Sequence, residues 1–266
     1  MSNSYFQFKQ FIIRQDRCAM KVTTDASLFG AWVAERVRSR ESIGRHRLAD
    51  GDAGAGSQFS KTKTVLDIGT GTGLLSLMIA QKNELAIDAL EIDQDSFEQA
   101  TENIAASSWS GSIKIFHADA RKFIFPSQYD IIISNPPFYE KELKGDDIKK
   151  NIAHHDEGLL LPELLSIIRE NLEPGGTFYL LLPYKRNEEI KKLLTESELA
   201  IRQLVFVRQS TKHDFFRIML EGKLYTQKNA EILIDEISIM DISPAGTQNQ
   251  YNPAFVSLLK NYYLHL

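Results

Sequence analysis

Apolar residues between positions 64 and 182 fall into short blocks, and the stretches between the blocks carry apolar positions at helical spacing. The blocks, bounded by turn or charged residues, predict strands at 64–68 (TVLDI), 86–91 (AIDALE), 112–117 (SIKIFH), 129–134 (YDIIIS) and 176–182 (GTFYLLL). The intervening stretches predict helices at about 73–83, 95–107, 159–173 and 186–198. Such alternation builds a mostly parallel sheet with helices on both faces. Two further apolar segments, 201–207 and 215–221, lie close enough to pair as an antiparallel hairpin at the sheet edge.

The flanks read differently. Tyr5 to Gln15 alternates like a hairpin strand, and Asp25 can cap a helix running through Leu28, Trp32, Val33 and Val37. Residues 39–60, ending in ADGDAGAGSQFS, have little periodicity and read as a flexible linker or insertion. The expected organisation is therefore an N-terminal hairpin and helix (1–38), the linker (39–60) and a main α/β domain (61–266). That domain closes with a helix over Pro253 to Tyr263.

Composition narrows the classes. The 266 residues are 43% hydrophobic, which suits a large folded core rather than a disordered chain. The single cysteine, Cys18, has no partner for an internal disulfide and reads as a small buried residue. The adjacent His154 and His155 lack further ligands at compatible spacing, so no metal is expected. No basic-then-apolar leader opens the chain and no run approaches membrane-spanning length, so the expectation is a cytoplasmic protein without membrane contact.

The formal charge of −4 excludes coating of nucleic acid through bulk positive charge, but local basic faces remain. They are Lys141, Lys144, Lys149 and Lys150; Lys185, Arg186, Lys191 and Lys192; and Arg208, Lys212 and Arg217. Because Asp146, Asp147, Glu188 and Glu189 are interleaved, solvated surface and phosphate binding weigh equally.

The first predicted strand runs into VLDIGTGTG, residues 65–73. Gly69, Gly71 and Gly73 permit a tight turn and a close backbone approach to a ligand. Their spacing, G-x-G-x-G, differs from the G-x-G-x-x-G of dinucleotide folds. Context adds more than spacing: Asp67 precedes the glycines, Glu91 closes the second strand and Asp119 follows the third. Strand ends of an open parallel sheet line its ligand crevice. Glu91 can accept both hydroxyls of a ribose there, and Asp119 with Ala120 can face an adenine amino edge. Taken singly, either acid also reads as a helix cap or turn residue.

This layout resembles the class I S-adenosylmethionine-dependent methyltransferases, over about residues 64–220. The resemblance implies a Rossmann-like fold with a seven-stranded, mostly parallel sheet and an antiparallel final strand. It also implies S-adenosylmethionine as cofactor. The loop from Asp67 to Gly73, Thr70 included, would hold the methionine end; Glu91, with Ile92 beside it, would bind ribose; Asp119 and Ala120 would contact adenine.

After the fourth strand comes SNPPF, residues 134–138. Pro136 and Pro137 restrict the backbone, so the Asn135 amide oxygen and the Pro136 carbonyl can be aimed at a single N–H₂ group. Two such acceptors would turn the lone pair of a conjugated amino nitrogen toward an electrophilic methyl, with no general base needed before transfer. Phe138 or Tyr139 can stack on a planar substrate, an interaction worth ~1–3 kcal/mol per base on aromatic platforms. A proline turn capped by asparagine is the plain alternative. The motif resembles the (N/D/S)-P-P-(Y/F/W) signature of amino methyltransferases. That set covers adenine-N6 enzymes and glutamine methyltransferases acting on proteins, so both substrates stay open on these four residues.

The segment FIIRQDRCAMKVTTDASLFGAW, residues 11–32, and the ending YNPAFVSLLKNYYLHL are similar to the bacterial tRNA(Val) adenine-N6 methyltransferases, which modify adenine 37 after the anticodon. The resemblance makes Lys21, Thr23, Thr24 and Asp25 candidate cofactor contacts, Asn135 a contact to cofactor as well as substrate, and tRNA the partner. Residues 39–60 look longer than that family's usual link. The readings carried forward are a tRNA adenine-N6 methyltransferase acting as a monomer, an N5-glutamine methyltransferase acting on a protein, and a non-catalytic RNA-binding module that retains the fold.

Overall fold

Alternation of strand and helix brings one edge of a single sheet together as the place where loops converge. The computed structural model describes residues 4–49, 62–137, 159–226, 231–242 and 250–266, with the side chains of 40–49 excepted. A hairpin of β1 (Tyr5–Gln7) and β2 (Ile12–Arg14) leads into α1 (Thr24–Ala49). There follow β3 (Thr64–Ile68), α2 (Leu74–Ala80), β4 (Ala86–Glu91), α3 (Gln94–Ala105), β5 (Ile113–His117) and β6 (Tyr129–Ser134). Next come α4 (Leu161–Asn171), β7 (Leu172–Pro183), α5 (Asn187–Glu196), β8 (Leu199–Arg208) and β9 (Phe215–Leu224). The chain closes with β10 (Leu233–Ser238), the short pair β11 (Met240–Asp241) and β12 (Gln250–Tyr251), and α6 (Pro253–Leu259).

The main sheet has the order β10-β8-β9-β7-β6-β3-β4-β5. Only β9 runs against its neighbours, pairing antiparallel with both β7 and β8. Among the described residues the sheet therefore has eight strands where seven were expected, and the β8–β9 hairpin is not its edge. β10 adds outside β8 in parallel. Its sequence LIDEIS carries two acids in mid-strand, and Leu233 and Ile234 are 58% and 63% exposed, so it lacks the buried apolar run that betrays the other strands.

Successive residues point to opposite faces, and both faces are covered. Leu66, Ile132, Phe178, Leu180 and Leu182 join the core beneath α4 and α5. Val65, Ile131, Ile133, Tyr179 and Leu181 join the core shared with α1 and α2. Each such fully buried side chain contributes roughly 1.5–3 kcal/mol by leaving water. Phe8, Phe11 and Ile13 of the N-terminal segment belong to that second core, as do Phe255 and Tyr262 near the C-terminus.

Two expectations for the N-terminal region change. The cap of α1 is Thr23, whose carbonyl accepts the Ser27 N–H at 3.0 Å; Asp25 sits inside the first turn. The helix then runs through Ala49, so residues 39–49 of the expected linker are helical, and residues 50–60 lie outside the described residues. Arg, Glu, Leu and Ala are good helix formers and sustain a helix there without an amphipathic period.

Candidate active site

Strands β3, β4, β5, β6 and β7 all end on one edge of the sheet, and the sequence-predicted residues gather along it. Past Ile68 the chain turns through Gly69, Gly71 and Gly73 at φ of +71°, +57° and +81°, a region that L side chains occupy only with strain. The N–H groups of Gly69 and Thr70 donate to the Leu90 carbonyl at 2.9 and 3.0 Å, which straps the loop to the end of β4. A Cβ built on Gly69 or Gly71 would meet no atom of the described residues within 4 Å. Among those residues the space above the loop is open.

Asp67 is wholly buried beneath this loop. One carboxylate oxygen, Oδ2, accepts from the Thr70 hydroxyl at 2.7 Å and the Ser76 hydroxyl at 2.6 Å. Burial pushes its pKa up to about 6, and the two hydroxyl bonds offset only part of that shift. The other oxygen, Oδ1, is buried and has no partner among the described residues.

Glu91 is also buried, and its carboxylate is held by three backbone groups. Gly71 donates to Oε2 at 2.8 Å, while Ile92 and Asp93 both donate to Oε1 at 2.9 Å. A carboxylate has about four acceptor sites, so Glu91 stitches the glycine loop to β4 and keeps capacity for a further donor. The helix cap is instead Asp93, which accepts the Ser96 N–H at 2.8 Å. Beside Glu91, the Ile92 side chain is 55% exposed, an apolar surface on the rim of the open space.

Asp119 lies past β5, and Arg121 grips both its oxygens, through Nε at 2.9 and 3.1 Å and a terminal nitrogen at 2.8 Å. That guanidinium holds the Asp119 carboxyl below the usual carboxylate range. Sequence reasoning missed Arg121. Its signal was an arginine two residues after a strand-end acid, close enough for a bidentate pair.

At the end of β6, the buried Ser134 hydroxyl donates to the Ile68 carbonyl at 2.8 Å, one residue before the glycine loop. Asn135 follows immediately, half-buried, and among the described residues no group hydrogen-bonds its side chain. Pro136 is buried and Pro137 exposed. Phe138 and Tyr139 lie outside the described residues, as do Lys141, Lys144, Lys149, Lys150, His154 and His155.

Three comparisons bear on this arrangement. A family model described as the methyltransferase small domain matches residues 56–197. A tRNA1(Val) (adenine(37)-N6)-methyltransferase of Dyadobacter fermentans is 37% identical over 98% of this chain and 98% of its own length. Its counterpart in Parabacteroides distasonis is 32% identical over the whole of both chains. The chain belongs to this methyltransferase family. Among solved structures, a predicted O-methyltransferase from Agrobacterium tumefaciens superposes with a TM-score of 0.57 at 15% identity, covering 75% of this chain and 89% of that one, a likeness of fold alone.

The cofactor of this methyltransferase is S-adenosylmethionine, and the chain's own residues fit it. The buried Asp67 Oδ1, without a partner among the described residues, needs a donor, the glycine loop leaves room that a Cβ would fill, and the exposed Ile92 would supply an apolar wall.

The N-terminal segment borders the same edge. Cys18 is buried beside Ser96, Glu91, Lys21 and Asp93, and burial pushes its thiol pKa up. Asn103 of α3 accepts the Arg14 N–H at 2.9 Å and donates to the carbonyls of Arg14 and Thr72, so one amide joins the hairpin to the glycine loop. The candidate contacts from this segment have protein partners of their own: Lys21 donates to the Gln15 carbonyl, and the Asp25 carboxylate accepts from Arg217 of β9 at 2.7 Å. Thr24 is exposed. Among the described residues no helix is long and apolar enough to cross a membrane.

Proposed function

We propose that this chain transfers a methyl group from S-adenosylmethionine to the exocyclic N6 of adenine 37 in tRNA1(Val). The observation that carries the reading is the Asn135 amide. It has no partner among the described residues, and it stands one residue from a serine tied to the mouth of the glycine loop. The full-length likeness to enzymes of that name supplies the substrate.

When bound, the cofactor provides an electrophilic methyl group. The chain does the positioning. Asp67 and the Gly69–Gly73 loop would hold the amino-acid end of the ligand, Glu91 a ribose hydroxyl, and Ile92, Asp119 and Ala120 the adenine ring. Asn135 Oδ1 and the Pro136 carbonyl would each accept one N–H of the substrate amino group. That grip draws the nitrogen toward tetrahedral geometry, and the acceptors gain strength as positive charge develops there. The proton leaves after transfer, and Asn135 acts as acceptor rather than base.

An adenine buried in a stack could not reach a strand end, whereas an anticodon-loop base is open to such capture. We take the chain to act as a monomer, and tRNA as substrate supports a cytoplasmic location. The test is methyl transfer from labelled cofactor to unmodified tRNA1(Val), read by nucleoside analysis. N6-methyladenosine is expected with adenine at position 37 and none with guanine there; label in protein glutamine would refute the reading.

A further inference from the structure

Two consecutive phenylalanines open β9, and only one of them turns inward. The Phe215 ring packs 5.2 Å from Tyr184 and 5.5 Å from Phe206, with the Arg208 guanidinium 4.9 Å over its face. Phe216 has another fate. The β8–β9 ladder pairs Val207 with Arg217 and Arg208 with Phe215, so Phe216 is the extra residue of a β-bulge. A bulge leaves its extra residue out of the ladder and re-aims the side chain. Here it leaves the ring 36% exposed.

Register fixes where that ring stands. Ser134 is level with Leu180, and Leu180 with Leu220. Phe216 therefore lies two strands across from Asn135 and three residues further toward solvent, on the same edge of the sheet. At ~4.8 Å between strands and ~3.3 Å per residue, the separation is roughly 14 Å. A nucleotide close to the target in sequence can span that distance.

The surroundings favour a flat ligand over a bare anion. Arg217 lies 5.9 Å from the Phe216 ring, and its charge is already met by Asp25. Arg208, behind Phe215, is likewise met by Glu236 at 2.8 Å. Two countered arginines are a poor phosphate site. An exposed aromatic face, flanked by the Arg217–Asp25 pair and carried on a paired strand, is a good one for stacking, because the backbone that bears it needs little ordering.

We infer that Phe216 is a stacking platform for a tRNA base flanking the adenine that enters at Asn135, a positioning residue rather than a catalytic one. The inference rests on the tRNA reading above and adds to it the surface that orients the RNA.

The test uses the full chain with tRNA1(Val) transcript. Phe216→Ala should raise KM for tRNA by about tenfold while cofactor affinity, thermal midpoint and the salt dependence of tRNA binding stay as in the wild type, since no phosphate contact is lost. Phe216→Trp should restore KM, and its added fluorescence should be quenched by tRNA. The platform is overturned if Phe216→Ala binds tRNA as the wild type does, or if the tryptophan variant folds normally yet neither rescues nor quenches. A wild-type chain that leaves tRNA unmethylated would instead remove the function reading, and the platform with it.

Discussion

The two halves of the candidate catalytic edge are built by different means. On the β3–β4–β5 side, the groups proposed to meet the ligand are locked by hydrogen bonds close to the loop: Glu91 by three backbone N–H groups, Asp67 by two hydroxyls, and the loop by the Leu90 carbonyl. On the β7–β9–β8 side the groups are long or aromatic, and their partners are distant in sequence, as in Arg217 with Asp25 and Arg36 with Glu221. The first half suits a ligand of constant shape, which rewards preorganised polar contacts. The second offers planes and countered charge, suited to a large partner that must be oriented and then released. Asn135 follows the end of β6, the strand between them.

The sharpest way to break this division is at its boundary. Asn135→Ala should lower kcat by roughly 10²–10³, the usual cost of deleting one acceptor or donor matched to transition-state charge. Cofactor affinity, measured by calorimetry, should hold. Loss of both would place Asn135 within the cofactor half and erase the boundary.

The next largest effect belongs to the cofactor half alone. Gly71→Ala puts a Cβ at φ +57° and into the open space above the loop, at a strain of about 1–2 kcal/mol before any clash with ligand. Cofactor affinity should fall tenfold or more, while tRNA affinity of the cofactor-free protein is unchanged.

A smaller effect follows from Asp67. A ligand N–H directed at Oδ1 favours the ionised carboxylate, so cofactor affinity should weaken as pH falls from 7 through about 6, by at most about tenfold per unit. Without ligand the sign is opposite. The folded chain holds this proton more tightly than the unfolded chain, whose value is 3.8, so the group's stabilising contribution is complete below 3.8 and lost as pH rises through 6. Asp67→Asn should flatten both profiles; calorimetry and thermal melts across pH 3.5 to 7.5 would show it.

The same division explains what the sequence reveals. Glycine loop, strand-end acids and Asn-Pro-Pro are contiguous or nearly so, and the predicted strands from 64 to 221 all reappear in the sheet. Phe216 and Arg121 escaped because their roles depend on a bulge and on a turn, neither of which leaves a periodic trace. Asp25 offered a plausible local role as a cap, yet its partner is 192 positions away. β10 escaped for a related reason: an edge strand needs only one neighbour and can carry acids where an inner strand cannot.

Phe8 bridges Tyr263, and the Lys9 N–H donates to the Tyr262 carbonyl at 2.7 Å, so the first hairpin and the last turn of the molecule clasp one another. Tyr262 in turn donates its hydroxyl to the Met78 carbonyl on α2, the helix that begins at the glycine loop. The N-terminal hairpin and the turn after α6 are thus held to one another and, through Tyr262, to α2. Unfastening either segment would free the other and loosen the helix that anchors the glycine loop.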